Sequence, residues 1–435
     1  MLKFLNYIKK SLEVIRKLAS NKNVAFSGMI GNILEWYDFT LYGYLAVILS
    51  QLFFPSENET VSLLASFGAF AVGFFFRPLG SVLFGYIGDK YGRKKALILS
   101  IFLMAIPTFL IGLLPTYQQI GILAPILLTF FRILQGLSTG GEYTTSVTFV
   151  VEHAPKDRRG FFGSINLLGA VIGIMFGSLM GAFLTSIFDK ETLLDWGWRV
   201  GFLFGIVLAI VGIYIRKNTS ETPEFLAIEE ENKTKNPLLK TFIHHPKEFL
   251  ISIIYSSLQG VAFFLLFVYM PTFYSKILKI EMSKALFINS FAMFVLIILI
   301  PITAHLSDKY GRKPFLLAST FLYSAASVFL FKAILSGDIS IIVMSHVAFA
   351  VISSLFMSIL PTFLVENFPP DVRNTAFSVG YNISLGIFGG TVPMVATLLI
   401  QKTGILYSPA VYLSVVAFIC FLTTLFIRES FKNEI

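Results

Sequence analysis

Long apolar runs alternate with short polar connections along the whole chain. Twelve runs can be marked, at roughly 24–50, 60–86, 96–114, 120–149, 161–186, 199–216, 249–275, 285–306, 315–334, 338–361, 375–400 and 407–427. Most approach or exceed the ~20 residues that a spanning helix needs. Backbone polar groups in lipid must be paired within their own segment, so each run predicts a helix. The pattern therefore predicts an all-α membrane protein with twelve transmembrane helices. The longest polar stretch, 217–248, holds Pro223, Pro237 and Pro246 and divides the chain into two six-helix bundles, 24–216 and 249–428. Residues 1–23 place Leu5, Ile8, Leu12, Ile15 and Leu18 at helical spacing, which predicts a short amphipathic segment on the inner membrane surface. Residues 429–435 form a short tail.

Composition agrees with this pattern. Of 435 residues, 55% are hydrophobic and 14% charged, where soluble chains average roughly 25% charged. So few charges cannot cover a water-facing surface. A net charge of +9 would suggest nucleic acid in a soluble protein. Here its distribution argues for membrane orientation instead, and no nucleic-acid partner is expected. With the N-terminus inside, the inner segments hold 25 Lys and Arg and the outer loops 7, while Arg77 and Arg132 lie within spans. That asymmetry predicts both termini in the cytoplasm. Cys420 is the single cysteine, so no intrachain disulfide can form.

The halves repeat. Gly88-Asp89-Lys90-Tyr91-Gly92-Arg93-Lys94 follows span two, and Ser307-Asp308-Lys309-Tyr310-Gly311-Arg312-Lys313 follows span eight, 219 residues later. Glu152, Pro155, Asp157 and Arg159 are echoed by Glu366, Pro369, Asp371 and Arg373, 214 residues on. Two landmarks at nearly one offset predict parallel six-helix repeats related by an axis along the membrane normal.

The duplicated Asp-Lys-Tyr-Gly-Arg-Lys loop resembles the loop signature of the major facilitator superfamily. Asn32-Ile33-Leu34-Glu35-Trp36-Tyr37-Asp38-Phe39, Phe76-Arg77-Pro78-Leu79-Gly80, Arg132-Ile133-Leu134-Gln135-Gly136, Gly140-Gly141-Glu142, Trp196-Gly197-Trp198-Arg199 and Glu221-Thr222-Pro223-Glu224-Phe225 resemble the metabolite:proton symporter family within it. Inside that family the chain looks most similar to the proline/glycine betaine transporters. The resemblance implies the major facilitator fold and a place in the bacterial inner membrane. It also implies loops at Asp89, Arg93, Asp308 and Arg312 that latch the cytoplasmic side. The osmosensing members carry a long C-terminal coiled coil; eight residues follow span twelve here, so activation by that device is not expected.

Charged side chains inside spans are costly and mark pathways. The first half holds Glu35, Asp38, Arg77, Arg132 and Glu142. Arg77 lies twelve residues before Asp89, hence ~18 Å deep at ~1.5 Å per residue. These charges could simply pair and lock the bundle. Alternatively, a dry carboxyl holds its proton and yields it when wetted or approached by an arginine, which is what proton coupling requires. Glu35, Asp38 and Glu142 are the proton-coupling candidates, with Arg132, which also matches the superfamily's fourth-helix signature, as their partner. Arg77, Trp36, Tyr37, Tyr42, Gln259 and Asn382 are candidates for substrate binding, because neutral donors and aromatic faces suit a zwitterion or quaternary ammonium. Gly169, Gly173, Gly177 and Gly181 recur every fourth residue and form a smooth ridge for close helix approach. The resemblance places that ridge at the interface between halves.

No zinc, P-loop, dinucleotide or nucleophile-elbow motif is present. No metal and no cofactor are expected, the proton being the coupling ion, and no enzymatic activity is expected. The expected function is proton-coupled symport of a small zwitterionic osmolyte such as proline or glycine betaine by alternating access. Partners would be that small molecule and membrane lipid, with the protein working as a monomer. An organic acid of the 2-oxoglutarate, citrate or shikimate type is the rival substrate, and an uncoupled facilitator the rival mechanism.

Overall fold

The computed structural model describes residues 29, 32–91, 93–140, 142–217, 243–369 and 373–431. The expected surface segment 1–23 and most of the linker at 217–248 lie outside the described residues. Among the described residues the regular structure is helical, in twelve successive helical segments, eight of which are long and apolar enough to cross a membrane. They are α1 (32–53), α2 (Glu59–Phe75 continuing as Arg77–Tyr91), α3 (Arg93–Leu113), α4 (Leu123–Thr139 continuing as Glu142–His153), α5 (Arg159–Ile187) and α6 (Trp198–Lys217) in the first half. The second half holds α7 (Pro246–Lys276), α8 (Met282–Tyr310), α9 (Lys313–Ile334), α10 (Ile339–Asn367), α11 (Thr375–Thr403) and α12 (Ser408–Phe426).

Each helix sorts its side chains against lipid rather than water. On α8, Phe287, Phe291, Phe294, Ile298 and Ile302 are exposed at steps of three and four, while Asn289, Met293, Leu296 and Ile300 are buried. The outward stripe is apolar, so its solvent must be lipid. Helix starts are set locally. Asn58 Oδ1 accepts from the Thr60 amide at 2.9 Å to open α2, and Asp338 Oδ1 accepts from Ser340 and Ile341 to open α10. The end of α8 explains the glycine of the repeated loop. Gly311 sits at φ +96°, and a β-carbon there would also collide with the Glu429 carboxylate.

The pairing of helices carries the repeat into three dimensions. In the first half α3 packs on α6 and on α4, and α2 on α4; in the second, α9 packs on α12 and on α10, and α8 on α10. These pairs interchange when six is added to each helix number. The halves meet along α5 with α8 and along α2 with α11, and these two contacts also interchange under the same operation. The result is two pseudo-symmetric six-helix bundles with one seam between them.

Candidate functional site

Polar groups that join the halves occur at three levels along the seam. The first is on the face carrying the most Lys and Arg, called here the basic face. Asp308, at the end of α8, accepts from the Gly160 and Phe161 amides in the first turn of α5, at 2.7 and 2.9 Å. A carboxylate at a helix N-terminus meets both unpaired N–H groups and the positive end of the helix dipole. Arg312 holds Asp308 in place at 2.8 Å and reaches Glu366 on α10 at 3.1 Å. Glu429 accepts from the Arg312 and Lys313 amides at the start of α9, and Ser430 donates to Glu366 at 2.7 Å. The first residues of the tail are thus packed into this cluster. Beside it, Arg373 bridges to Glu152 across the seam at 2.9 Å, so the two echoed sequence landmarks meet each other. The side chains of Asp89 and Arg93 lie outside the described residues.

The middle level contains a cavity of about 20 Å³ lined by Trp36, Tyr143, Leu167, Ala170, Ile174, Gln259, Gly260, Phe263, Phe264, Tyr381 and Leu385. That is room for about one water, so a bound solute requires the halves to separate. Trp36 packs on Phe263 and Phe264 with ring centroids 6.3 and 6.2 Å apart, and Tyr143 stacks on Tyr381 at 5.2 Å. Both contacts cross the seam. Gln259 donates from Nε2 to the Tyr381 hydroxyl at 3.3 Å. Arg77 borders this box, its guanidinium 5.4 Å from the Trp36 ring centre. Its Nε donates to Asn382 Oδ1 at 3.1 Å and its Nη2 to the Thr139 carbonyl at 3.2 Å, while Asn382 Nδ2 donates to the Gly140 carbonyl. Glu35 is within electrostatic reach of Arg77.

Backbone geometry places Arg77 there. Pro78 lacks the N–H that would pair with the Phe74 carbonyl, and α2 breaks at Phe76 between its two segments. Gly136 and Gly140 on α4 press against the carbonyls of Gly73 and Arg77, where any β-carbon would overlap backbone. Two cavity walls, α7 at Phe264–Tyr269 and α11 at Leu385–Gly389, carry wider π-helical turns. Such turns leave backbone groups locally mispaired and recur at functional sites.

The third level is on the opposite face. Tyr44 of α1 donates to the Phe267 carbonyl at 2.7 Å, inside the π-helical stretch of α7. Asn289 of α8 donates to that same carbonyl at 3.0 Å and to Ser178 of α5 at 3.1 Å. Ser178 in turn donates to the Leu286 carbonyl at 3.1 Å. Four helices from both halves are joined around one asparagine. Further out, Lys276 pairs with Glu59 at 2.9 Å on the exposed surface.

The candidates from the sequence divide between two places. Trp36 and Gln259 line the cavity, and Arg77, Asn382 and Glu35 stand at its edge. Tyr37 and Tyr42 lie away from it. Tyr37 donates to the Gly201 carbonyl of α6, and Tyr42 to the Ser66 carbonyl of α2. Asp38 and Arg132 are buried within the first bundle. Asp38 Oδ1 lies against Gly205 of α6, 2.7 Å from where a β-carbon would stand, beside the Thr108 side chain. Gln135 donates to Thr108 at 2.7 Å and accepts from Arg132 at 2.8 Å. The Arg132 guanidinium rests 4.0 Å from the Phe39 ring centre and 4.6 Å from that of Tyr42. The side chain of Glu142 lies outside the described residues. The glycine ridge of α5 also divides. Gly169 and Gly173 abut the backbone of Met29 and Ile33 within the same half, Gly177 abuts Thr40, and Gly181 faces Leu286 of the other half. Phe263, Phe264 and Tyr143 were not anticipated as cavity residues. No motif or charge in the sequence singles Tyr143 out; its stacking on Tyr381 across the seam comes from the packing.

Two bundles with a cavity at their seam and separate polar clamps toward either face form the architecture of a secondary transporter. The chain matches the Major Facilitator Superfamily over residues 28–380 and again over 286–434. It is 36% identical over 411 residues to the glycine betaine/proline/ectoine/pipecolic acid transporter OusA of Dickeya dadantii, covering 92% of this chain and 82% of that protein. It is 34% identical over 411 residues to the proline/betaine transporter of Escherichia coli K12, with the same coverage. Among solved structures, the xylose transporter XylE of E. coli in a partially occluded inward-open conformation superposes with a TM-score of 0.79 at 16% identity, covering 96% of this chain and all of that one. The chain belongs to the major facilitator superfamily and, within it, to the family of these proline/betaine transporters. It is a multi-pass membrane transporter and not an enzyme.

Proposed function

We propose that this protein is a proton-coupled symporter that takes up a small zwitterionic osmolyte of the proline or glycine betaine type. It would sit in the bacterial inner membrane with the basic face and both termini in the cytoplasm, and act as a monomer by alternating access. The observation that carries this reading is the composition of the cavity. Its lining is aromatic and neutral, and the nearest fixed cation, Arg77, is shared between Asn382 and the Thr139 carbonyl with Glu35 close by. A site of that kind suits a solute with balanced charges better than an organic anion, which needs an uncommitted positive charge. The names of the two relatives point the same way.

Coupling is assigned to the acids of α1. Glu35 stands at the cavity edge, and Asp38 is buried next to the Thr108–Gln135–Arg132 chain. Rocking of the halves would wet and dry these carboxyls in turn, exchanging a proton with each face. The test is uptake into proteoliposomes under an inward proton gradient, with proline, glycine betaine, 2-oxoglutarate, citrate and shikimate. Concentrative uptake of proline or betaine, abolished by a protonophore, is expected. Accumulation that survives the protonophore contradicts proton coupling, and uptake of an acid alone contradicts the substrate.

A further inference from the structure

The cavity lining holds three polar atoms without a hydrogen-bond partner among the described residues; one is the Tyr143 hydroxyl, which can both donate and accept, and the other two are one-sided. Trp36 Nε1, on α1, is a donor, and Gln259 Oε1, on α7, is an acceptor. Both residues are at least nine-tenths buried, with 4% and 5% exposure. A buried group without a partner is costly, and each calls for a physical reason. The two are of opposite kind and come from opposite halves. A zwitterion supplies what each lacks, with a carboxylate to accept from Trp36 and an ammonium to donate to Gln259.

Resting on the substrate reading above, the geometry points to Gln259 as the residue that separates secondary from quaternary ammonium substrates. Its amide is oriented by the bond from Nε2 to the Tyr381 hydroxyl, which leaves Oε1 as the available acceptor. A secondary ammonium such as that of proline carries N–H groups and can fill that acceptor. A quaternary ammonium carries none. It must draw its stabilisation from the ring faces of Trp36, Phe263, Phe264, Tyr143 and Tyr381. Two ligand types would thus share one box and differ at one atom.

The test compares initial rates of L-proline, N-methylproline, N,N-dimethylproline and glycine betaine in proteoliposomes of the full chain. These ligands lose their N–H groups stepwise while the ring is kept across the first three. Gln259→Met removes the acceptor at similar volume. It is expected to raise the KM for proline roughly tenfold or more relative to its effect on dimethylproline and betaine, the usual cost of losing a hydrogen bond to a charged group. Gln259→Glu keeps acceptor oxygens and should keep the preference for proline. Tyr381→Phe frees the amide without altering Gln259 and should skew the same ratio in the same direction, by less. A loss that falls equally on proline and dimethylproline in Gln259→Met and in Tyr381→Phe overturns the inference, as does an unchanged ratio. Wild-type protein that carries only an organic acid would overturn the substrate reading itself, and this inference with it.

Discussion

Four consecutive residues of α1 divide the chemistry of the protein. Glu35 and Trp36 face the seam, where one meets the field of Arg77 and the other lines the cavity. Tyr37 and Asp38 turn into the first bundle, toward Gly201 and Gly205 of α6. A helix advances about 100° per residue, so neighbours in sequence serve different compartments. This is why the sequence located the charged segment but not the cavity. It named Trp36 and Gln259 alongside Tyr37 and Tyr42, since residue type alone does not give the rotation of a helix about its axis. The same limit separates Arg132 from Arg77. Both are buried arginines in spans, yet Arg132 rests on Phe39 and Tyr42 while Arg77 borders the box. The division at α1 leads to a prediction. If either acid carries the coupled proton, its amide (Glu35→Gln or Asp38→Asn) should retain substrate exchange across the membrane and lose accumulation against a gradient. Counterflow and gradient-driven uptake, measured on the same vesicles, separate the two. Normal accumulation in both variants would remove these residues from the coupling role.

At the scale of helices, two devices bring polar chemistry to the seam without exposing it to lipid. Glycines let α4 approach α2 until backbones touch, which sets Arg77 beside the cavity. Buried ions are the second device. Arg312 is 1% exposed and answers two carboxylates, Asp308 and Glu366, on α8 and α10. Charges removed from water need such close pairing, and deleting one partner leaves the others uncompensated. Arg312→Ala should therefore lower stability by ~3–5 kcal/mol, read as a marked fall in the melting temperature of purified protein. A melting temperature within experimental scatter of wild type would mean that the cluster holds nothing together. Part of this arrangement was legible in the sequence. The repeated Asp-Lys-Tyr-Gly-Arg-Lys loops and the echo of Glu152 by Glu366 established two equivalent halves. That Glu152 would pair with Arg373, its landmark's counterpart in the other half, needed the folded chain. Repetition shows equivalence, and only packing shows who faces whom. The same holds for the glycine ridge, where spacing gave one smooth face of α5 but not that α1 would occupy most of it.

The described residues form two bundles held together by clamps at different heights. Near the basic face the clamp is ionic, formed by Asp308 on the start of α5 and by Arg373 with Glu152. Near the opposite face it is a neutral network around Asn289. The cavity lies between them and has room for about one water. In such a device either clamp can be released while the other holds, and the solute then meets one face at a time. The central claim is this independence. It can be measured with one cysteine in the cavity, Ala170→Cys in a Cys420→Ser background, probed with a membrane-impermeant thiol reagent applied from each face in turn. Asn289→Ala should accelerate labelling from the opposite face only, and Arg373→Ala from the basic face only, each by roughly tenfold for a ~1.4 kcal/mol shift in the balance of states. Labelling that rises from both faces together in either variant, or from neither face in both, would contradict the account.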